Sequence, residues 1–218
     1  MLSGAHFRDV PPVEGGRWGM SAVLLPDTDA TARLAAVTAQ AMTLAGPGHW
    51  QTGAPEAVHV TVRAIEVHRR VVPTNDPLVG RCAGALRRAA AASRPIRLRL
   101  GGLTLTPSGV MACAFPVDEA ADEFADRLGH ELGADGWFEA EYQRDIWYAT
   151  LVHFTGDIRD RHGLVEFVAR RRRLDLGHTD AGAAELLRFR YNGCQPVRQG
   201  LACAELAAPV PQAVPTFG

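Results

Sequence analysis

The chain has 218 residues, of which 47% are hydrophobic and 22% are charged, and its formal net charge at pH 7 is −1. These values are typical of a folded globular protein, and the near-neutral charge argues against wrapping of long nucleic acid, which needs many Lys and Arg contacts to phosphate. No apolar run approaches the ~20 residues needed to cross a membrane, and the N-terminus lacks the apolar core of a signal peptide, so we expect a cytoplasmic protein.

Composition along the chain predicts an arm, one domain and a tail. Residues 1–17 are rich in Pro and Gly and predict a flexible N-terminal arm, and residues 207–218 are rich in Pro and Ala and predict a flexible tail. Between them, residues 18–206 predict a single bilobal domain made of two similar units of the strand-helix-strand type, at about 18–106 and 107–206.

Hydrophobic periodicity predicts alternating strands and helices through both units. Apolar or alternating stretches predict strands, and apolar residues recurring every three or four positions after a capping or acidic residue predict helices. The predicted strands lie near residues 18–25, 57–66, 95–100, 109–115, 146–153, 185–191 and 197–206. The predicted helices lie near 26–44, 78–92 and 118–132, and a fourth contains Leu164 and ends in the arginine run 170–173.

The strand Val58-His59-Val60-Thr61-Val62-Arg63 carries the first group of reactive side chains. Strict alternation predicts that His59, Thr61 and Arg63 share one face, spaced by two residues of strand rise, or about 7 Å. A histidine, a hydroxyl and a guanidinium in a row can hold a phosphate and move a proton. His59 and Thr61 are therefore candidate catalytic residues, and Arg63 is a candidate ligand-binding residue.

A second copy of this arrangement follows later in the chain. The segment 19–30 reads as a strand, a proline and an acidic helix start, and the segment 109–120 repeats that pattern with four identical residues. In the strand that ends the second copy, Thr150 lies 89 positions after Thr61, so Tyr148 takes the place of the histidine. A repeated unit of this kind predicts two halves that face each other across a cleft.

These motifs resemble those of the 2H phosphoesterase superfamily, which includes 2′-5′ RNA ligase-like proteins and cyclic phosphodiesterases. Its members carry two His-x-Thr/Ser-x motifs on the central strands of two pseudo-symmetric lobes. Here the motifs read His59-Val60-Thr61-Val62 and Tyr148-Ala149-Thr150-Leu151, so the second keeps its threonine and replaces its histidine. The resemblance covers roughly residues 18–206 and implies an α+β fold, with two pseudo-symmetric lobes of antiparallel sheet flanked by helices around a central cleft.

The resemblance also implies the chemistry of the cleft. In an intact site one histidine removes a proton from a 2′-hydroxyl or water, the other protonates the leaving oxygen, and the two threonines hold phosphate oxygens. Tyrosine, with a pKa of ~10, is a poor base at pH 7 but can donate a hydrogen bond or act as an acid. The implied catalytic residues are His59, Thr61, Tyr148 and Thr150, the implied partner is a small anionic or nucleotide-like ligand, and no cofactor is needed.

Other residues are candidates for ligand binding. His49 and Trp50 lie in the loop that leads into the His59 strand and could stack on a base, although an ordinary loop with one buried tryptophan explains them as well. Tyr191 is a further candidate aromatic residue. His153 begins another His-x-Thr five residues after Tyr148, and because five is odd, only a bulge or register shift would bring it into the cleft. On a regular strand it would be a structural or surface residue.

No metal site is expected. The four cysteines form no C-x-x-C pair and are not accompanied by clustered histidines, and we expect them to be free thiols. Three functions are compatible with the sequence. They are a phosphodiesterase acting on a small nucleotide or 2′,3′-cyclic phosphate, a divergent biosynthetic enzyme that uses the same cleft for different acid-base chemistry, and a non-catalytic nucleotide- or RNA-binding protein.

Overall fold

The computed structural model describes residues 5–142 and 146–207 of the chain. The strands in these residues are β1 (Met20–Leu24), β2 (Val60–Ala64), β3 (Ile96–Thr106), β4 (Gly109–Pro116), β5 (Trp147–His153), β6 (Asp175–Ala181), β7 (Ala183–Tyr191) and β8 (Pro196–Glu205). The helices are α1 (Thr28–Ala45), α2 (Pro77–Ala91), α3 (Ala120–Leu132) and α4 (Arg161–Arg170), and a 3₁₀ helix follows α3 at Gly133–Glu139.

The eight strands form one antiparallel sheet in the order β6-β3-β4-β5-β2-β1-β7-β8. Strands β3 to β6 make one half of the sheet, and β1, β2, β7 and β8 make the other. The two motif strands, β5 and β2, are therefore neighbours at the centre, where the halves meet. The α+β fold with two antiparallel lobes that the sequence predicts is confirmed.

The halves of the sheet exchange strands between the two sequence units. Strand β3, from the first unit, lies between β6 and β4, and the final hairpin of β7 and β8 pairs with β1. Each half thus contains strands from both sides of residue 106, while the boundaries of the domain at 18 and 206 stay a prediction. Strand β6 was not predicted from the sequence, because it is polar and lies at an edge of the sheet.

The helices cover the sheet in two pairs. Helices α1 and α4 pack together and against β3, β5 and β6, and helices α2 and α3 pack together, with α2 also against β7 and β8. Asp27 caps α1 by accepting a hydrogen bond from the backbone N–H of Ala30 at 2.8 Å, and Asp76 caps α2 before a proline at the first position. Leu34, Leu86 and Phe124 are fully buried and mark the core beneath the sheet.

Residues 5–17 of the predicted arm lie against the domain. The backbone N–H of Phe7 donates to Pro107 O at 2.8 Å, that of Asp9 to Phe154 O at 2.7 Å and that of Gly15 to His68 O at 2.8 Å. These bonds carry the arm past the ends of β3 and β5, and its flexibility stays a prediction. Residues 1–4 of the arm, and all of the predicted tail except Ala207, lie outside the described residues.

Candidate functional site

A cleft of about 290 Å³ opens where β2 and β5 separate. Within the described residues these strands share one paired position, Val60 with Ala149, and beyond it they no longer pair. All four predicted catalytic residues line the cleft, namely His59, Thr61, Tyr148 and Thr150. Further lining comes from Arg17, Trp18, Glu66, Glu139, His153 and Phe189.

Both motif strands contain one extra residue directly after the motif threonine. On β2, Thr61 pairs with Val23 and Arg63 pairs with Ala22, so the register with β1 shifts by one residue at Val62. On β5, Thr150 pairs with Met111 and Val152 pairs with Val110, so Leu151 has no partner on β4. An extra residue of this kind is a β-bulge, and it reverses the alternation of side chains for the rest of the strand.

On β2 the bulge removes Arg63 from the face that His59 and Thr61 share. The Arg63 Nη2 atom donates to two backbone carbonyls of the 3₁₀ helix, Gly136 O at 3.2 Å and Glu139 O at 2.7 Å. The expectation that the three side chains form one row is corrected by this shift in register. Arg63 holds the 3₁₀ helix in place, and Ala64 takes the next position in the cleft.

On β5 the bulge turns His153 into the cleft beside Tyr148 and Thr150. The loop before β2 supports this geometry, because Trp50 and His153 exchange backbone hydrogen bonds at 3.1 and 2.9 Å and Gly53 N–H donates to Leu151 O at 2.9 Å. A Cβ on Gly53 would lie 2.0 Å from Thr38 Oγ1, so a glycine is needed for this close approach. The loop thereby satisfies the backbone that the bulge leaves unpaired.

The protonation state of His59 is defined by its partner. Its Nδ1 lies 2.8 Å from Ala57 O, and because a carbonyl only accepts, Nδ1 carries the proton and Nε2 keeps a lone pair. Burial lowers the pKa of His59 to about 4; the bond to Ala57 opposes this, and the charges of Arg198 and His153 add to the lowering. At neutral pH, His59 is a neutral ring with a basic nitrogen.

Arg198 fixes the segment that precedes His59. Its guanidinium donates to Pro55 O and Val58 O, both at 2.6 Å, and to Glu56 O at 3.2 Å. Because β8 carries Arg198 across the start of β2, three backbone carbonyls are tied to one rigid group. His59 therefore enters the cleft from a segment with little freedom to move.

Three hydroxyl groups line the cleft with no partner among the described residues. Thr61, Tyr148 and Thr150 are half-buried, and their hydroxyls make no hydrogen bond to any other described residue. Hydroxyls in such a setting can donate to an anion, and two of them come from equivalent positions on the two motif strands. The arrangement is suited to a phosphate held between Thr61 and Thr150.

His153 has a carboxylate partner from the arm. Its Nδ1 lies 2.7 Å from Asp9 Oδ2, and its side chain is 5% exposed. Burial lowers the pKa of His153, although the Asp9 carboxylate opposes this effect. Burial raises the pKa of Asp9, but the hydrogen bond to His153 and the nearby Arg17, 3.6 Å away, outweigh it and hold that pKa below its usual value.

Trp18 forms a wall of the cleft at some conformational cost. Its φ is +73°, a left-handed conformation that is unfavourable for a bulky residue by roughly 1–3 kcal/mol. Its ring packs edge-on against Trp50 at 5.7 Å, His153 at 4.8 Å and Phe189 at 5.4 Å between centroids. These contacts hold the ring between the cleft and a second cavity of about 550 Å³, which Arg70, Arg190 and Tyr191 also line.

Besides Arg63, three other predicted ligand-binding residues do not line the cleft. His49 is buried, donates from Nε2 to Ala45 O at 3.2 Å and accepts from Thr155 N–H at 3.1 Å. Trp50 is 2% exposed and packs behind Trp18. Tyr191 lines the second cavity.

Several residues that line the cleft or contact its lining were missed by the sequence analysis. Asp9 and Arg17 lie in the predicted arm, and Glu66 and Phe189 are far apart in sequence, so no local motif marks them. The sequence held one signal for Trp18, which is the glycine that follows it. The backbone of Gly19 passes so close to the residues after β2 that a Cβ there would lie 2.0 Å from Glu66 O. In the described parts of the chain, no group of three His, Cys, Asp or Glu residues could hold a metal, and no helix is long and apolar enough to cross a membrane.

Comparison with solved structures identifies the fold. No protein-family model and no curated protein sequence matches the chain. The crystal structure of TT0787 of Thermus thermophilus aligns with a TM-score of 0.66 at 16% identity, covering 87% of this chain and 98% of that one. E. coli LigT complexed with 3′-AMP aligns with a TM-score of 0.61 at 9% identity, with the same coverage. The chain has the LigT fold. At these identities the likeness concerns the fold alone.

Proposed function

We propose that this protein is a 2H phosphoesterase-like phosphodiesterase that hydrolyses a small nucleotide ligand, such as a 2′,3′-cyclic phosphate. The observation that carries the proposal is the pair of threonine hydroxyls, Thr61 and Thr150, that line one cleft beside Nε2 of His59 and make no hydrogen bond within residues 5–142 and 146–207. The crystallisation of E. coli LigT with 3′-AMP and with phosphate supports a ligand of this class in a cleft of this fold.

Five residues of the cleft have roles in the proposed reaction. The Thr61 and Thr150 hydroxyls donate to the non-bridging phosphate oxygens, and the cation of Arg17 adds to the attraction for the anion. His59 Nε2 removes a proton from the attacking water as the new P–O bond forms and one ring P–O bond breaks, and the released ribose oxygen takes up a proton to become a hydroxyl. Tyr148 donates a hydrogen bond to the phosphoryl group, and the product is a nucleoside phosphomonoester.

The proposal is tested with the four 2′,3′-cyclic mononucleotides as substrates. We expect turnover by the wild type, and a loss of ~10²–10⁴-fold in kcat for His59→Ala, which is the usual contribution of a general base. His178→Ala is the matched control, because His178 is exposed on β6, away from the cleft, and its activity should equal that of the wild type. Absence of wild-type turnover, or equal rates for His59→Ala and wild type, would contradict the proposal.

A second candidate function is nucleotide binding without turnover. It is favoured by Tyr148, which stands where the resemblance implies a second histidine, and by crystals of E. coli LigT with ATP and with NADP+. This function predicts that 3′-AMP, ATP or NADP+ binds with an affinity that His59→Ala leaves unchanged. Calorimetric titration of both proteins decides between the candidates, since histidine-dependent turnover is expected from the phosphodiesterase alone.

A further inference from the structure

We propose that His153 supplies the proton to the leaving oxygen in this cleft, and that Asp9 of the N-terminal arm is its positioning residue. The proposal rests on the phosphodiesterase function proposed above. The resemblance implies that a histidine at position 148 would be the acid, but that position holds Tyr148. The proposal gives the acid role to His153, which lies outside both motifs.

The backbone brings His153 to the required place. The bulge at Leu151 puts His153 on the same face as Tyr148 and Thr150, and its ring lines the cleft. The ring is held on two other sides by Trp18, at 4.8 Å between centroids, and by Trp50, at 6.1 Å. A histidine that packing fixes in this way presents one defined edge to the cleft.

The hydrogen bond to Asp9 determines which nitrogen is available. A carboxylate accepts, so Nδ1–H of His153 donates to Asp9 Oδ2 at 2.7 Å, and Nε2 is the remaining nitrogen. In the described part of the chain, Nε2 has no hydrogen-bond partner and is not fully enclosed by protein atoms. Nε2 is therefore free to exchange a proton with a ligand in the cleft.

The two histidines have different partners, and this difference assigns their roles. Nδ1 of His59 donates to a neutral carbonyl, which stabilises a charged ring only weakly, and Arg198 lies close by. Nδ1 of His153 donates to a carboxylate, which stabilises an imidazolium directly. The pairing therefore makes His153 the ring that more readily carries a proton, which is the form an acid needs, and His59 the ring that stays neutral, which is the form a base needs.

The other charges around His153 are compatible with this role. Arg17 from the arm and His59, directly before β2, oppose protonation of His153, while the Asp9 carboxylate favours it. Glu66 and Glu139 line the same cleft, and Glu66 is paired with Arg69 and Arg188. In the free protein burial keeps the ring neutral, because it lowers the pKa of His153. An anionic phosphodiester next to Nε2 raises that pKa, so His153 takes up a proton as the substrate binds.

The reaction then balances in protons and bonds. His59 Nε2 takes one proton from water, the water oxygen bonds to phosphorus, and the P–O bond to the ribose 2′ or 3′ oxygen breaks. The departing oxygen takes the proton from His153 Nε2 and becomes a hydroxyl. His59 is left protonated and His153 neutral, and exchange with solvent restores both rings.

A change of leaving group tests the acid role. An acid is needed for a ribose alkoxide to leave, but not for 4-nitrophenolate, which is a stable anion at neutral pH. For His153→Gln we expect a loss of at least ~100-fold in kcat with 2′,3′-cyclic AMP, and a loss below ~5-fold with thymidine 3′-(4-nitrophenyl phosphate). His178→Gln is the control and should match the wild type with both substrates.

Unequal losses would support the proposal, and the alternatives overturn it. Equal losses with both substrates would show a structural role for His153, and no loss with either would show no role. If Tyr148→Phe, rather than His153→Gln, shows the dependence on leaving group, Tyr148 is the acid. If the wild type hydrolyses none of these substrates, the proposed function itself fails, an outcome distinct from turnover that is independent of His153.

The role of Asp9 is tested by the pH profile of kcat. Replacement of the carboxylate in Asp9→Asn removes stabilisation of the imidazolium, so the high-pH limb of the profile should move to lower pH, and Asp9→Glu should restore part of the shift. A merely structural role for Asp9 would lower kcat at all pH values without moving the limb. That result would overturn its assignment as a positioning residue.

A measurement without turnover gives an independent test, also for variants that fold less well. The ¹⁵N NMR signals of the histidine side chains report protonation of each ring. With 3′-AMP added, the His153 Nε2 signal of the wild type should move toward the protonated position, and it should move less in Asp9→Asn. An unchanged His153 signal at saturating 3′-AMP would overturn the proposal.

Discussion

Strands β2 and β5 have the same backbone plan but carry their histidines on opposite sides of the threonine. Each strand has its bulge directly after the threonine, at Val62 on β2 and at Leu151 on β5. On β2 the cleft histidine comes two residues before the threonine, whereas on β5 it comes three residues after it. The register of a strand, as well as its motif, therefore determines which side chains meet in the cleft.

The residues at the remaining equivalent positions complete the comparison. Tyr148 stands on β5 where His59 stands on β2, and Ala64 stands on β2 where His153 stands on β5. At the first pair of equivalent positions, β5 has a phenol where the β2 side has an imidazole. At the second pair, β5 has an imidazole where β2 has a methyl group. The two lobes offer the cleft matching hydroxyls but different acid-base groups, as expected for a reaction that needs one base and one acid.

The largest loss of kcat/KM in this series is expected from the two threonines that the strands have in common. If Thr61 and Thr150 hold the phosphate equally, Thr61→Val and Thr150→Val should each weaken transition-state binding by about 1.5–3 kcal/mol, the usual worth of a hydrogen bond to a charged group. That is a loss of roughly 10- to 100-fold in kcat/KM for each variant. Thr43→Val, on the exposed face of α1, is the control, and a loss in only one of the cleft variants would break the symmetry.

The next effect distinguishes two arginines. The sequence favours Arg63 for ligand binding, whereas the structure favours Arg17, which lines the cleft. Arg63→Met removes charged donors to two carbonyls and should lower the free energy of unfolding by about 2 kcal/mol, with little change in KM. Arg17→Met should raise KM with little change in the free energy of unfolding, because the Arg17 side chain is 66% exposed at the cleft. Urea denaturation and steady-state kinetics on both variants would show the crossed pattern. A raised KM for Arg63→Met alone would restore Arg63 as the ligand-binding residue.

A smaller effect follows from restoring the motif on β5. In the His153→Gln background, Tyr148→His places an imidazole at the position equivalent to His59, and it should recover roughly tenfold of the lost kcat with 2′,3′-cyclic AMP. Tyr148→Phe in the wild-type background should cost less than about tenfold, since it removes one neutral hydrogen bond. No recovery in a folded double variant would mean that position 148 no longer reaches the leaving oxygen.

The smallest effect is a dependence of stability on pH. The pKa of His59 is about 4 in the folded protein, below the value of ~6.5 expected for the unfolded chain, so the unfolded state binds more protons as pH falls. The contribution of neutral His59 is complete above pH ~6.5 and is lost toward pH ~4, with about 1 kcal/mol lost between pH 7 and pH 5.5. Urea unfolding of wild type and His59→Asn should show this difference in slope; parallel curves would contradict it.

Much of the fold and part of the site follow from sequence pattern. Alternating and helical periodicities predict seven of the strands and all four helices. The equivalent positions of Thr61 and Thr150 in the two repeats predict that the motif strands face one cleft. Strand β6 escapes because Asp175–Ala181 contains four polar residues and lies at the sheet edge. This polar edge strand gains its pairing from β3, which periodicity in a single segment does not reveal.

The bulges and the arm mark the physical limit of that inference. Val62 and Leu151 are ordinary apolar residues of a strand, and what stabilises the bulge on β5 is the loop residue Gly53, almost a hundred positions away in sequence. Asp9 and His153 are separated by 144 positions. Contacts of this kind depend on tertiary structure, so alternation misplaced Arg63 and predicted that His153 would face away from the cleft.

The most direct test of the account is a crystal structure of the protein with 3′-AMP. We predict that the phosphate lies between Thr61 Oγ1 and Thr150 Oγ1, within hydrogen-bond distance of both, with His59 Nε2 and His153 Nε2 facing it from opposite strands. Placement of the nucleotide in the larger cavity beyond Trp18, against Arg70 and Arg190, would contradict the assignment of the cleft between β2 and β5 as the active site.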